Sequence, residues 1–109
     1  MRHWFTHAAV IAAAVWGPHP LGCQQVHHQY KQLPPYTLGE ALVGDCKIIY
    51  NRRPRTGWYW GKFCTVTIHE WGHLHGYYNK HNPNDPDHSP NPRSVMYYKF
   101  THVDRRCHD

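Results

Sequence analysis

The chain is short of charged residues: only 17% of its 109 residues are Asp, Glu, Lys or Arg. The 12 basic residues still outnumber the seven acidic ones, so the formal net charge is +5. The basic residues are scattered, apart from Arg52, Arg53 and Arg55 and the pair Arg105 and Arg106. A nucleic-acid-binding surface concentrates its positive charge on one face. The composition therefore argues against nucleic acid as a partner.

The chain also lacks a hydrophobic run long enough to cross a membrane. Its uncharged, Ala-rich stretch covers only the ten residues 8–17, whereas a spanning helix needs roughly 20 apolar residues. A stretch of this length, preceded by Arg2 and followed by Pro18 and Pro20, is typical of the core of a secretory signal peptide. We predict that residues 1–23 are a signal peptide and that the protein is secreted.

The end of this segment, Leu21-Gly22-Cys23, resembles the end of a bacterial lipoprotein signal, in which the cysteine is lipidated after cleavage. Pro20 departs from that pattern, which usually has an aliphatic residue there. Two outcomes stay open: plain secretion, or anchoring of the protein to the cell envelope through a lipid on Cys23. The lipid is the only membrane attachment that the sequence suggests.

No CxxC pair is present among the four cysteines, which argues against a cysteine-based zinc site. Cysteines in an exported chain are usually disulfide partners. We favour a Cys46–Cys64 bridge because both residues precede the histidine motif in strand-like or pre-helical segments. Cys107 then pairs with Cys23 or stays free.

The segment after the predicted signal divides into two parts. Residues 24–39 are polar and contain prolines, as in an extended lead-in, and residues 40–109 are expected to form the domain. Residues 46–51 have the pattern of a strand, and residues 58–75 run into a helix that Gly76 ends, because glycine is favoured just after a helix C-terminus. Residues 77–94 are rich in proline and asparagine and are predicted as loop. The fold class is α+β, and a chain this small gains stability from disulfides or a metal.

The predicted helix carries the motif HExxH at His69, Glu70 and His73. Residues four apart share one helix face, so the two imidazoles can bind one metal ion. A catalytic zinc ion takes three protein ligands and keeps one position open. Glu70 is then placed to act as general base on a zinc-activated water.

The segments "HEWGHLHG" and "SVMYY" together resemble the metzincin zinc endopeptidases, which combine HExxHxxGxxH with a downstream Met-turn. The resemblance covers residues 67–98 and includes features of the matrixin, astacin and snapalysin groups. It implies a short mixed sheet packed on the active-site helix, followed by a loop-rich segment. It also implies one catalytic Zn²⁺, a floor under the site formed by Met96, a sharp turn at Gly76 and a catalytic tyrosine at Tyr98.

The third histidine of that pattern is missing, because Asn79 stands in its place. In matrixin-like members the third histidine lies eight residues before the Met-turn methionine. Counting back from Met96 leads to His88, within "HSPNPRSVM", which resembles the family's usual H-S-x-D-P-x-S-V-M except for Asn91. The motif then has both ends intact and nine extra residues, 79–87, between them.

Other residues of the insert compete with His88 for this role. His81 lies nearer to the helix, and Asp85 and Asp87 are alternatives because some metzincin-like peptidases use aspartate as third ligand. The sequence leaves this choice open.

We predict a small, monomeric, secreted zinc endopeptidase that acts on peptides or proteins. The alternative is a non-catalytic protein that keeps zinc for binding or stability, although structural zinc has no need of a base such as Glu70. A peptidase of DNA-bound proteins is a third hypothesis, and the signal-like N-terminus and the Met-turn argue against it.

Overall fold

The computed structural model describes residues 2–108 and contains two helices and one three-stranded sheet. The helices are α1 (Arg2–Trp16) and α2 (Trp60–Leu74), and the strands are β1 (His27–Lys31), β2 (Gly39–Leu42) and β3 (Lys47–Asn51). Single 3₁₀ turns lie at Val43–Asp45 and Arg105–Cys107. The predicted α+β class is confirmed.

The strand order is β1-β3-β2, with β1 parallel and β2 antiparallel to the central strand β3. Strand β3 has a neighbour on each side, and its residues 48–51 are all buried. Strand β1 falls within the segment predicted as a lead-in, so that segment contributes to the sheet. Strand β2 has one partner, β3, and its other edge adjoins the cleft described below.

Helix α2 is buried along most of its length, from Lys62 to Ile68 and again at Glu70, Trp71, Gly72 and Leu74. A helix that is apolar on nearly every face belongs in a core. Its end is as predicted: Gly76 has φ +77°. Its N–H donates to the His73 carbonyl (2.9 Å), and the Tyr77 N–H donates to the Gly72 carbonyl (3.0 Å). These two bonds form a Schellman motif, which turns the chain sharply away from the helix axis.

Helix α1 packs against α2 through small residues, since Ala8 and Ala12 are 0% exposed. Two indole groups tie the helices together: Trp16 Nε1 donates to the Ile68 carbonyl (2.9 Å), and Trp71 Nε1 donates to the Gly17 carbonyl (2.9 Å). No helix within residues 2–108 has the length and apolar character needed to cross a membrane. Cleavage of the predicted signal peptide would remove helix α1 and its contacts with α2.

The disulfides are Cys23–Cys46 and Cys64–Cys107, each with Cα atoms 5.7 Å apart. The favoured Cys46–Cys64 pairing is therefore wrong. Parallel pairing of β1 with β3 brings Cys46 beside the residues before β1. Cys64 instead faces the C-terminal segment, which returns to α2. A cysteine sulfur in a disulfide cannot also carry a lipid thioether, so the Cys23–Cys46 bridge and a lipid anchor at Cys23 exclude each other.

A buried polar chain connects the sheet to α2. Thr67 Oγ1 donates to the Phe63 carbonyl (2.9 Å) and therefore accepts from the Tyr50 hydroxyl (2.9 Å). The hydroxyl oxygen in turn accepts from His28 Nδ1–H, at 2.9 Å. Burial, helped by the neighbouring His27, lowers the pKa of His28 to about 4. His28 is thus a neutral donor near pH 7, and each of the three hydrogen bonds from His28 to the Phe63 carbonyl has one donor and one acceptor.

Candidate metal centre

Three histidines meet at the C-terminal half of α2. The Nε2 atoms of His69 and His73 are 3.1 Å apart. The His88 ring centroid lies 5.2 Å from that of His69 and 4.9 Å from that of His73. One nitrogen from each ring falls within 4.8 Å of the others. Within residues 2–108, no other group of His, Cys, Asp or Glu comes together in this way.

The donor set fits a metal ion such as zinc. Two imidazoles bound to one tetrahedral zinc ion, at roughly 2.0–2.1 Å each, have nitrogens about 3.3–3.4 Å apart. The 3.1 Å between His69 and His73 is close to that spacing. Three imidazoles are also a known ligand set for catalytic zinc, which then has a fourth position for water. The three-histidine group can therefore hold a metal ion.

His69 is oriented and kept neutral by its surroundings. Its Nδ1–H donates to the Val95 carbonyl at 2.7 Å, so Nε2 keeps its lone pair and faces the other rings. Burial, together with the nearby His73 and His88, lowers the pKa of His69 to about 4 against the opposing effect of the Val95 bond. Burial also lowers the pKa of His73. Neutral imidazole is the form that binds metal.

His88 reaches the group by way of the nine-residue insert that follows the helix. The insert closes on itself where the Asn79 N–H donates to the Pro86 carbonyl, at 2.7 Å. The third histidine of the group is His88, at the position counted back from Met96. The other candidates are not members of the three-histidine group. His81 and Asp87 are exposed, Asp87 lines the same cleft, and the Asp85 carboxylate accepts from His88 Nδ1–H at 3.0 Å.

The Met-turn packs directly under α2. Met96 is 1% exposed, and its N–H donates to Ser94 Oγ at 3.0 Å. A Cβ added at Gly72 would lie 2.7 Å from Met96 Sδ and 2.9 Å from the Trp16 ring. Only glycine at this position of the HEWGH motif lets both side chains reach the helix. The role of Met96 as a floor under a metal site stays a prediction.

The side chain of Glu70 extends from α2 to the edge strand β2, and the residue is 7% exposed. A Cβ on Gly39 would be 3.4 Å from Glu70 Oε2, so the glycine leaves room for the carboxyl group. Burial, with a contribution from the charge of Glu40, raises the pKa of Glu70 to about 8, and a hydrogen bond from the Ala41 backbone opposes the rise. An acid with a pKa near the working pH is suited to moving protons.

The three histidines and Glu70 open into a cleft of about 720 Å³. Strand β2 lines one side, and the segment after the Met-turn, residues 97–102, lines another. Tyr98 belongs to this second wall and is 58% exposed, with its ring centroid 4.9 Å from that of Tyr97. Its predicted catalytic role stays a prediction.

Three features of the site were not predicted from the sequence. Gly72 and Trp16 form the close contact with the Met-turn, and a glycine inside a predicted helix was the available signal for such an approach. Gly39 makes space for Glu70, although only the sheet pairing reveals that the two are neighbours. The contact of Asp85 with His88 has a local signal in their three-residue spacing, which brings side chains together in a turn.

Comparisons of the chain with protein-family models, with curated proteins and with solved structures found no match.

Proposed function

We propose that the protein is a zinc-dependent endopeptidase. The observation that carries this proposal is that a buried carboxyl group and three histidines line the same open cleft. The carboxyl group belongs to Glu70, which follows His69 in the sequence. A purely structural metal site needs neither the cleft nor the acid. The motifs HExxH and SVM, and their resemblance to the metzincins, support the same assignment.

A bound zinc ion would supply a Lewis acid and a water of lowered pKa at the histidines. The protein's own part in the reaction centres on Glu70. As a carboxylate it accepts a proton from the attacking water, and it then donates that proton to the nitrogen of the leaving amine. Its burial favours this exchange because a raised pKa brings the acid and base forms close in free energy near neutral pH.

Strand β2 offers a binding edge to an extended peptide. Its residues 39–41 line the cleft, and β3 occupies the strand's other side. An exposed strand edge can pair with a peptide through backbone hydrogen bonds and so position the scissile bond. Tyr98, from the opposite wall, is the residue we assign to the oxyanion, because a phenol near the reacting carbonyl stabilises developing negative charge.

Both disulfides favour an oxidising compartment, because such bonds persist mainly in exported proteins. We therefore include secretion in the proposal, with a monomer as the active form. A disulfide at Cys23 leaves no sulfur for a lipid, and it requires that any cleavage of the signal peptide occurs before Cys23. We therefore favour free secretion over anchoring.

The test is to measure zinc per chain and the cleavage of a mixed peptide library, with the Glu70→Gln variant as the matched control. We expect about one zinc per chain in both proteins and cleavage only by the unsubstituted chain, abolished by a chelator and restored by zinc. Zinc binding without cleavage would favour the non-catalytic alternative. A chain that takes up no zinc would overturn the proposal.

A further inference from the structure

The insert between α2 and His88 has its own network of hydrogen bonds. Successive turns are closed by N–H groups of Asn82, Asp85 and His88, which donate to the carbonyls of Asn79, Asn82 and Asp85 at 3.1, 3.0 and 3.1 Å. The Asn82 side-chain amide donates to the carbonyls of both Asp85 and His88, at 2.9 Å each. The loop therefore defines the position of Asp85 relative to His88 without help from the core.

Within this loop the Asp85 carboxylate faces one particular atom, Nδ1 of His88. Its two oxygens lie 3.0 and 3.2 Å from that nitrogen. An ionised carboxylate has acceptors only, so Nδ1 must carry the hydrogen. Nε2 is then left with its lone pair. The His88 side chain is 24% exposed and that of Asp85 is 50% exposed, so the bond lies at the rim of the site.

The same ring is held from its other side by the two helix histidines. It stacks on His69 with an interplanar angle of 22° and meets His73 edge-on at 89°. A partner on the far nitrogen is what a metal-binding imidazole commonly has, since it sets the tautomer, fixes the ring plane and raises the basicity of the ligand. For His69 the Val95 carbonyl fills this position, and for His88 a charged group from the insert does so.

We propose that Asp85 is a positioning residue for the third metal ligand, and that the insert serves to hold Asp85 against His88. The inference rests on the proposed metal-dependent function and adds to it the residue that sets the tautomer of His88. Asp85 touches neither substrate nor metal in this assignment and acts only through the His88 ring.

The first measurement is zinc affinity, obtained by competition with a chromophoric chelator, for the full chain and for Asp85→Ala, Asp85→Asn and Asp87→Ala. Loss of such a partner weakens metal binding roughly 10- to 100-fold, and we expect this for Asp85→Ala. Asp85→Asn should lose less, because the amide oxygen still accepts from Nδ1–H. Asp87→Ala removes the same charge from the same loop but not the hydrogen bond to His88, so it should lose clearly less affinity than Asp85→Ala.

The second measurement is independent of metal: nitrogen NMR of the imidazole rings reports which nitrogen carries hydrogen. We expect His88 in the zinc-free chain to be protonated at Nδ1, and Asp85→Ala to shift it toward the Nε2–H form, while Asp87→Ala leaves it unchanged. Should Asp85→Ala fail to fold, Asp85→Leu, which is similar in size and has no acceptor, provides both readouts.

The outcomes separate the two proposals. Zinc binding by the full chain with equal responses of Asp85→Ala and Asp87→Ala, in affinity and tautomer, overturns the role of Asp85 alone. No zinc binding by the full chain overturns the proposed function and, with it, any effect of Asp85 on affinity. The NMR result still decides whether Asp85 sets the tautomer.

Discussion

The two halves of the histidine site are built by different means. His69, Glu70 and His73 stand on α2, where the helix repeat sets their spacing and a nearly continuous run of buried residues holds the helix in place. His88 stands on a loop whose residues are largely exposed and whose shape depends on hydrogen bonds between its own side chains and backbone. The first half depends on packing and the second on polar contacts, so different substitutions should affect them.

Removal of α1 should have the largest effect, and it should act on the helical half. A chain that begins at Cys23 keeps the Cys23–Cys46 bridge but loses the contacts of Ala8, Ala12 and Trp16 with α2. We expect a loss of about 4 kcal/mol in the free energy of unfolding, measured by urea denaturation.

The result also bears on the predicted signal peptide. If the shortened chain is as stable as the full one and binds zinc equally well, α1 is dispensable and its role is that of a leader. The mass of the protein recovered from its producing cells would show independently whether residues 1–23 remain.

Replacement of His88 by alanine should remove the metal ligand that the loop contributes and leave the fold intact. The loss of one of three ligands exceeds the loss of a supporting group, so we expect zinc affinity to fall by more than about 100-fold. The matched control is His81→Ala, which removes an exposed imidazole from the same insert. If zinc affinity falls equally in both variants, the insert residue His81 contributes to metal binding as much as His88 does, which would contradict this prediction.

Gly72 is the point at which the Met-turn and α1 both pack on α2, so Gly72→Ala should disturb the helical half and the segment that follows His88. The added Cβ meets Met96 and Trp16 at 2.7 and 2.9 Å, and overpacking of this kind costs about 1–3 kcal/mol. Thermal unfolding and zinc affinity should both decline. Gly44→Ala is the control, since nothing lies within 4 Å of its Cβ, and a similar decline there would point to backbone effects alone.

The last effect arises only in acid and acts through His28 of β1, which the buried polar chain connects to α2. The pKa of His28 is lowered to about 4 from an unfolded value of 6.5. Below pH 6.5 the His28 imidazole binds a proton in the unfolded chain, whereas in the folded chain it binds one only near pH 4. This contribution to stability is therefore present above pH 6.5 and is lost as the pH falls toward 4. At about 1.4 kcal/mol per pKa unit, we expect it to be at most about 3 kcal/mol.

His28→Gln should flatten the fall in stability between pH 6.5 and 4, measured by denaturant titration at a series of pH values. His81→Gln, at an exposed position in the insert, is the control. The prediction is wrong if both variants follow the pH profile of the unsubstituted chain. His69 and His73 shift in the same direction, so only the difference between the profiles is informative.

The sequence was most informative where chemistry and local geometry coincide. HExxH with Gly76 predicts a helix, its end and two adjacent imidazoles, because all of these depend on contacts within a few residues. The spacing of His88 from Met96 pointed to the third histidine only through the resemblance to the metzincins. The disulfide pairs and the strand β1 depend on which distant segments meet, and no local pattern of Cys23 or Cys46 contains that information.

The two disulfides join cysteines that are consecutive in the chain: first with second, third with fourth. The loops they close are therefore separate rather than interleaved. A chain that enters an oxidising compartment N-terminus first would present Cys23 and Cys46 to each other before Cys64 arrives. The order of synthesis alone then favours the native pairs, and we expect oxidative folding during export to need little reshuffling by an isomerase.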